Sequence, residues 1–170
     1  MMRRWLSILL LIPLLGVIGC AYRLGPTNGE KAGDRSIKIA PFENKTIEPR
    51  LIEAVSAALR RELQQDGTYK LNTGSDPDLI VTGSILKYER DAISVRPTDA
   101  LSPLDMRIVI IARVIATERV SGKVLLDREI SGRTEVRAQS DLVSAERQAL
   151  PLAARSLARS ATALIVDGTW

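Results

Sequence analysis

The sequence predicts an α+β fold, a two-layer sandwich in which a small mixed sheet of four to five strands carries two helices on one face. Three observations predict it. An amphipathic helical pattern follows the first strand-like segment, a long alternating strand pattern fills the middle of the chain, and an alanine-rich helical pattern closes it. The predicted order is β, α, β, β, β, β, α. Both helices need the same sheet face to bury their apolar sides.

The first strand and the first helix occupy the start of the predicted domain. Apolar and polar side chains alternate over residues 36–42, and the strand is expected to end at Pro41. Pro49 marks the start of a helix of four to five turns, and Asp66 with Gly67 ends it. The apolar positions of this helix recur every three or four residues and form one stripe: Leu51, Val55, Ala58, Leu59 and Leu63.

Two further strands and a loop follow. Residues 68–72 predict a short strand, and residues 79–90 are too rich in β-branched side chains for an easy helix. The apolar phase changes along the second of these strands, which indicates a bulge near Gly83. Residues 91–103 contain two prolines and are expected to form a loop.

Residues 104–117 give the clearest strand pattern. One side carries an unbroken apolar row, which predicts a core face: Met106, Ile108, Ile110, Ala112, Val114 and Ala116. Ser121 and Gly122 centre a turn over residues 120–123, which leads to a last strand over residues 124–136. These two strands are expected to form a long hairpin.

A long helix over residues 141–166 closes the chain. Its apolar stripe is broad and suits close packing on a sheet: Leu142, Ala145, Ala149, Leu152, Leu157, Leu164 and Ile165. Pro151 lies inside this helix and cannot donate the usual backbone hydrogen bond. The helix must therefore either kink there or give way to a second helix.

The first twenty residues have the layout of a bacterial secretory signal. Arg3 and Arg4 precede an apolar run that is shorter than the roughly 20 residues a membrane-spanning helix needs, and Pro13 interrupts it. The run ends in V-I-G-C at Cys20, which resembles the lipobox of bacterial lipoproteins. The resemblance implies cleavage before Cys20 and a diacylglycerol on its sulfur. Ala21 stands where an Asp would retain such a protein in the inner membrane, so outer-membrane sorting is implied.

These features divide the chain into three parts. Residues 1–19 are a signal peptide that is cleaved, residues 20–35 are a lipidated N-terminus and tether, and residues 36–170 are a single α+β domain. Cleavage leaves 22 basic residues against 20 acidic ones, and no block of Lys and Arg exists. No nucleic-acid partner is expected from so small an excess of positive charge.

The composition excludes several kinds of chemistry. The chain has no histidine, and its single cysteine is assigned to the lipid. Ordinary zinc or copper sites, internal disulfides and histidine-assisted nucleophilic catalysis are therefore excluded. No common nucleotide-binding or hydrolase motif occurs. The carboxylate pairs Asp76 with Asp78 and Asp127 with Glu129 suit a turn and a solvated strand face. We expect no enzyme and no cofactor beyond the lipid on Cys20.

The second face of the 104–117 strand is the predicted contact surface. Its members are Arg107, Val109, Ile111, Arg113 and Ile115. Such a mixture suits a protein surface or a phosphorylated lipid, because arginine pairs with phosphate while aliphatic groups contact an acyl chain. The alternative is an ordinary sheet face on which cross-strand carboxylates such as Asp127 or Glu129 neutralise the arginines. Arg90 and Arg96 either extend this basic edge or are solvated loop charges.

The chain as a whole resembles the LPS-assembly lipoprotein family, LptE. The shared features are a lipobox followed by A-Y-R-L, an amphipathic helix ending in L-x-x-D-G, the segment D-P-D-L-I-V-T-G, a long hairpin and an alanine-rich last helix. The resemblance implies a lipid-anchored outer-membrane protein that faces the periplasm and plugs the β-barrel protein LptD. Its partners would be LptD and lipopolysaccharide (LPS), which the complex delivers to the cell surface.

The segment A-P-F-E-N in the first strand keeps a second interpretation open. An A-P-F-x-N strand before an amphipathic helix is similar to segments in other envelope lipoproteins. Those families imply either a periplasmic lipoprotein that regulates a cell-wall synthase or a subunit of a secretion pore. The long hairpin and the alanine-rich last helix favour the LPS-assembly family.

Overall fold

A computed structural model of the chain describes residues 31–96, 99–137 and 142–167. Within these ranges, the side chains of residues 95–104 are not described. Within these ranges the elements are β1 (Ser36–Ile39), β2 (Glu43–Asn44), α1 (Leu51–Asp66), β3 (Lys70–Leu71), β4 (Leu79–Arg96), β5 (Asp99–Glu118), β6 (Val124–Arg137) and α2 (Leu142–Asp167). They form an open mixed sheet that shares one apolar core with both helices. The predicted α+β class is confirmed.

The sheet has the order β3-β1-β4-β5-β6, and β2 pairs with β4 beyond the end of β1. β3, β1 and β4 run parallel, whereas β4, β5 and β6 run antiparallel. β1 and β2 pair with successive stretches of β4, so they act as one edge strand interrupted at Pro41. The strand therefore resumes at Glu43 and Asn44, where the sequence predicted that it had ended.

The bulge in β4 lies at Leu86 rather than at Gly83. The residues on either side of Leu86 pair with consecutive residues of β5, so Leu86 has no partner there. Gly83 stays in register and has a different role. A Cβ atom at Gly83 would overlap the buried Phe42 ring and approach the carbonyl oxygen of Arg113. The glycine therefore makes room for an aromatic side chain of the core.

β4 and β5 extend beyond the other strands as a two-stranded arm, residues 95–96 and 99–104. The prediction of a loop over residues 91–103 was wrong, because antiparallel pairing continues to the pair Arg96 and Asp99. Pro103 is accommodated at one of several register shifts, where a strand tolerates proline. β6 ends opposite Asp105, so the described part of the arm has no third strand.

The core lies between the sheet and the helices. The apolar row predicted for β5 is fully buried from Ile108 to Ala116, and Met106 is half-buried at the base of the arm. α1 contributes the predicted stripe of Leu51, Val55, Leu59 and Leu63. The helix stops at Gly67, which adopts φ 75° and donates its N–H to the Leu63 carbonyl.

α2 continues through Pro151 as one helix, so the chain does not break there. Its alanines make the close contacts with the sheet and α1, and the buried ones are Ala145, Ala149, Ala153, Ala154, Ala158 and Ala161. Leu142, Leu152 and Leu164 were predicted on the same stripe but are 39–48% exposed. The helix is apolar enough to cross a membrane, with mean hydropathy 1.2, yet 56% of that stretch is buried. Core packing therefore explains its composition.

β6 and α2 approach each other through their backbones at Gly132. A Cβ atom there would overlap the backbone nitrogen of Leu157 and the carbonyl oxygen of Ala153. Neither atom belongs to a flexible side chain that could move aside. Glycine is therefore required for the helix to lie this close to the sheet.

We expect Gly132→Ala to lower the free energy of unfolding by about 2–3 kcal/mol, because overpacking against backbone forces the helix and strand apart. Chemical denaturation followed by circular dichroism measures the loss. The control is Ser131→Ala on the exposed face of the same strand, which should stay within about 0.5 kcal/mol of the wild type. Equal stability of both variants would contradict the close approach.

Candidate functional site

The candidate site is the sheet face turned away from the helices, with β5 at its centre between β4 and β6. Val109, Ile111 and Ile115 are half-buried on this face, and Arg113 is exposed. Four of the six predicted contact residues therefore lie together in one row of β5: Arg107, Val109, Ile111 and Arg113. We call this surface the open face.

The two β5 arginines of the open face are engaged by carboxylates of β6. Arg113 donates from Nε and Nη2 to the two oxygens of Asp127, at 2.7 and 2.6 Å. Arg107 donates to Glu135 Oε1 at 3.0 and 3.2 Å. The Arg113 guanidinium lowers the pKa of the Asp127 carboxyl group. The cross-strand neutralisation that the sequence left open as an alternative is thus present.

The open face is consequently close to electrically balanced. Arg113 pairs diagonally, since its direct neighbour in register on β6 is Glu129. Further exposed side chains of both signs come from β4 and β6: Lys87, Glu89, Asp91 and Arg133. The face offers half-buried aliphatic groups within a network of paired charges, and such a surface fits a polar, structured partner better than a purely anionic one.

Arg90 lies on the other side of β4, where α2 begins. Tyr88 donates its hydroxyl to Glu146 Oε1 at 2.7 Å, and Arg90 donates to both oxygens of Glu146 at 3.1 and 3.3 Å. The Arg90 guanidinium also lies 5.7 Å from the centre of the Tyr88 ring. Burial, together with the hydrogen bond to Glu146, raises the pKa of the Tyr88 hydroxyl. These contacts fasten the N-terminal end of α2 to the base of the arm.

Two other predicted site residues lie at the limits of the description. Arg96 ends β4, and its backbone pairs with Asp99 at the far end of the arm. Its side chain lies outside the described set. Cys20, the predicted lipid attachment point, lies outside the described residues altogether. Both residues stay predictions.

A polar network closes the end of the domain opposite the arm. Arg35 donates to Glu118 Oε1 at 2.7 Å, and Ser36 donates both its backbone N–H and its hydroxyl to Asp78 Oδ2, each at 2.7 Å. These hydrogen bonds lower the pKa of Asp78. They hold the point at which residues 20–35 enter the sheet. Eighteen residues of β4 span about 60 Å from this end to the far end of the arm.

Three of the four acids in the predicted carboxylate pairs have structural partners. Asp78 binds Ser36, Asp127 binds Arg113, and Asp76 lies 3.3 Å from Arg119. In the described ranges no three His, Cys, Asp or Glu residues are placed to hold a metal ion.

The model of the LptE lipopolysaccharide-assembly family matches residues 35–166. The chain belongs to this family of LPS-assembly lipoproteins. No curated protein matches the chain. The family places the protein among membrane-associated lipoproteins that take part in LPS transport.

Solved structures show the same fold at low sequence identity. Protein XCC0632 from Xanthomonas campestris has a TM-score of 0.64 and 10% identity, covering 86% of this chain and 91% of its own. The PelC dodecamer from Paraburkholderia phytofirmans has a TM-score of 0.55 and 12% identity, with coverage of 79% and 88%. A minor lipoprotein from Acinetobacter baumannii has a TM-score of 0.52 and 13% identity, with coverage of 78% and 92%.

We expect Tyr88 to make the stability of the protein sensitive to alkaline pH. The folded protein holds the Tyr88 proton more tightly than the unfolded chain, so this stabilisation is present below the usual tyrosine pKa of about 10 and is lost as the pH rises above it. The difference in unfolding free energy between wild type and Tyr88→Phe should be constant from about pH 6 to 9 and shrink above pH 10. A difference that stays constant at high pH would contradict the assigned environment.

Proposed function

We propose that the protein is a periplasm-facing lipoprotein of the outer membrane, anchored by lipid on Cys20, that plugs the LptD β-barrel and supports the passage of LPS to the cell surface. The observation that carries the proposal is the family match over residues 35–166. The positions of the tether and the arm and the character of the open face support it.

The tether and the arm lie at opposite ends of the domain. Arg35 is the fifteenth residue after Cys20, so the tether reaches at most about 50 Å from the membrane surface. It joins the domain beside the network of Arg35, Ser36 and Asp78, and the arm extends away from that point. A domain held in this way at the inner leaflet can send its arm into the lumen of a barrel in the same membrane.

The open face suits the wall of such a barrel. The lumen of a large outer-membrane barrel is lined by polar side chains, and large barrels are commonly filled by a plug. The aliphatic side chains of Val109 and Ile111 supply contact area between the paired charges of Arg107 and Arg113. Contact with LPS phosphates is proposed for Arg90 and Arg96, whereas Arg107 and Arg113, which are already paired with carboxylates, are proposed to contact the protein partner.

A subunit of a secretion pore is the second candidate, and a regulator of a cell-wall synthase is a third. The observation that favours a pore is the fold shared with PelC, which forms a dodecamer. That likeness concerns the fold alone. The partner captured by the intact protein distinguishes the three functions.

We expect the full-length protein, tagged after Trp170 and purified from native membranes in mild detergent, to retain a β-barrel of the LPS-export type in equal amount. Ile111→Lys should reduce the retained barrel at least about tenfold, because it places an unpaired charge in the contact. The matched control is Val120→Lys in the turn between β5 and β6, where the valine is 81% exposed. Recovery of a cell-wall synthase, or of a ring of this chain alone, would replace the LPS-assembly function.

Lipidation at Cys20 is tested separately. Cells grown with an alkyne-tagged fatty acid should label the wild type, and Cys20→Ala should abolish both the label and cleavage of the signal. Ala21→Asp should remain labelled but fractionate with the inner membrane. Unchanged labelling of the Cys20→Ala variant would rule out this anchor.

A further inference from the structure

The outer surface of the two helices carries five arginines that form no ion pair in the described ranges. Elsewhere in the described chain seven arginines form ion pairs with carboxylates, and Arg128 and Arg133 of β6 do not. The helical arginines are exposed and have no carboxylate within 4 Å among the described residues: Arg60, Arg61, Arg147, Arg155 and Arg159. α1 and α2 contain no lysine.

The arginines of α2 form a row at helical spacing. Arg155 and Arg159 are four residues apart, and Arg147 precedes Arg155 by eight, so the three follow one side of the helix with Pro151 between them. Like charges four residues apart, as in Arg155 and Arg159, repel each other and destabilise a helix. The nearby Glu146 is already held by Tyr88 and Arg90. The repulsion is therefore uncompensated within the described fold, as is typical of a functional surface.

A groove between α1 and α2 lies beside this row. Its volume is about 130 Å³, close to that of a cavity of about 150 Å³ that holds benzene, so a phosphate-sized group fits. Arg61 of α1 and Arg155 of α2 both line it, and Glu62 is its one acidic residue. The remaining lining is apolar and small: Ala54, Ala57, Ala58 and Pro151. Leu152 lies next to Pro151 and is 48% exposed.

We propose that this groove, with Arg61, Arg155 and Arg159, binds a phosphate of the head group of a phosphorylated glycolipid. The identity of the glycolipid as LPS rests on the proposed function. Arginine rather than lysine suits the site, because the guanidinium fork matches phosphate oxygens in a bidentate way. The apolar lining and Leu152 accept the carbon framework next to the phosphate. The open face then contacts the protein partner, and the helix layer contacts the lipid.

The test uses the full-length lipidated protein in detergent and fluorescently labelled deep-rough LPS with both lipid A phosphates as the probe. Arg61→Gln combined with Arg155→Gln should weaken binding about tenfold or more, since it removes two charge-assisted contacts. The matched control is Lys123→Gln combined with Arg128→Gln. This pair makes the same charge change at the start of β6, and neither side chain has an ion pair in the described ranges. The control should change affinity less than twofold.

Further arms separate the sources of the phosphate and the two proposals. LPS stripped of its phosphates should bind the wild type and the groove variant with equal, lower affinity. An equal effect of the groove variant on phosphatidylglycerol micelles overturns the glycolipid assignment. Unchanged LPS binding by a groove variant that still captures the barrel overturns the groove and leaves the proposed function standing. If the wild-type protein captures no barrel, the proposed function itself is overturned.

A second measurement does not depend on the arginine variants. A photoreactive benzoylphenylalanine in place of Leu152 should crosslink to LPS in intact cells, whereas the same group in place of Val109 on the open face should crosslink to the protein partner. Capture of LPS at position 109 and not at position 152 would overturn the assignment of the lipid to the helix layer.

Discussion

The close approach of α2 to β6 at Gly132 is the constraint on which the rest of the structure depends. The absence of a side chain there brings the backbone of Leu157 against the strand, and the alanines on either side of it complete the contact. Because α2 lies so near the sheet, its small alanine side chains are enough to cover that face of the sheet. Burial of β5 residues such as Ile110 and Val114 follows from this cover, and it drives folding through the apolar area removed from water.

Placement of both helices on one face leaves the other face of the sheet without a covering layer in the described chain. The charges of that open face then need partners within the sheet itself, and the pairs of Arg107 with Glu135 and Arg113 with Asp127 provide them. Exposed pairs of this kind contribute little to stability. Their main effect is to reduce the net charge of a surface that would otherwise attract any anion, which favours specific over non-specific contacts.

The sequence predicted those parts of the fold that follow from local periodicity. The core row of β5, the stripe of α1 and the stop at Gly67 are examples, because each depends on neighbours within a few residues. The sequence did not predict the arm, because its prolines are typical of a loop. In the structure, strand pairing with register shifts forms in spite of them. The pairing of Arg113 with Asp127 could be proposed but not decided, because it is diagonal and depends on register and twist. The groove could not be foreseen at all, since Arg61 and Arg155 are brought together only by the packing of two helices distant in sequence.

The arginines of the open face and those of α2 differ in the neighbours that their positions supply. A guanidinium on a strand faces side chains of the neighbouring strands. A carboxylate at one of those positions can pair with it and neutralise its charge within the fold. A guanidinium on the outer side of α2 has neighbours three and four residues away on its own helix, and in the row of Arg147, Arg155 and Arg159 those neighbours supply no acid. Retaining arginine there costs helix stability and gives the folded chain no ion pair among its described residues. An external anion that pairs with these groups offsets that cost, so the charge pattern of the helix layer points to a ligand, whereas Arg107 and Arg113 of the open face are already paired within the sheet.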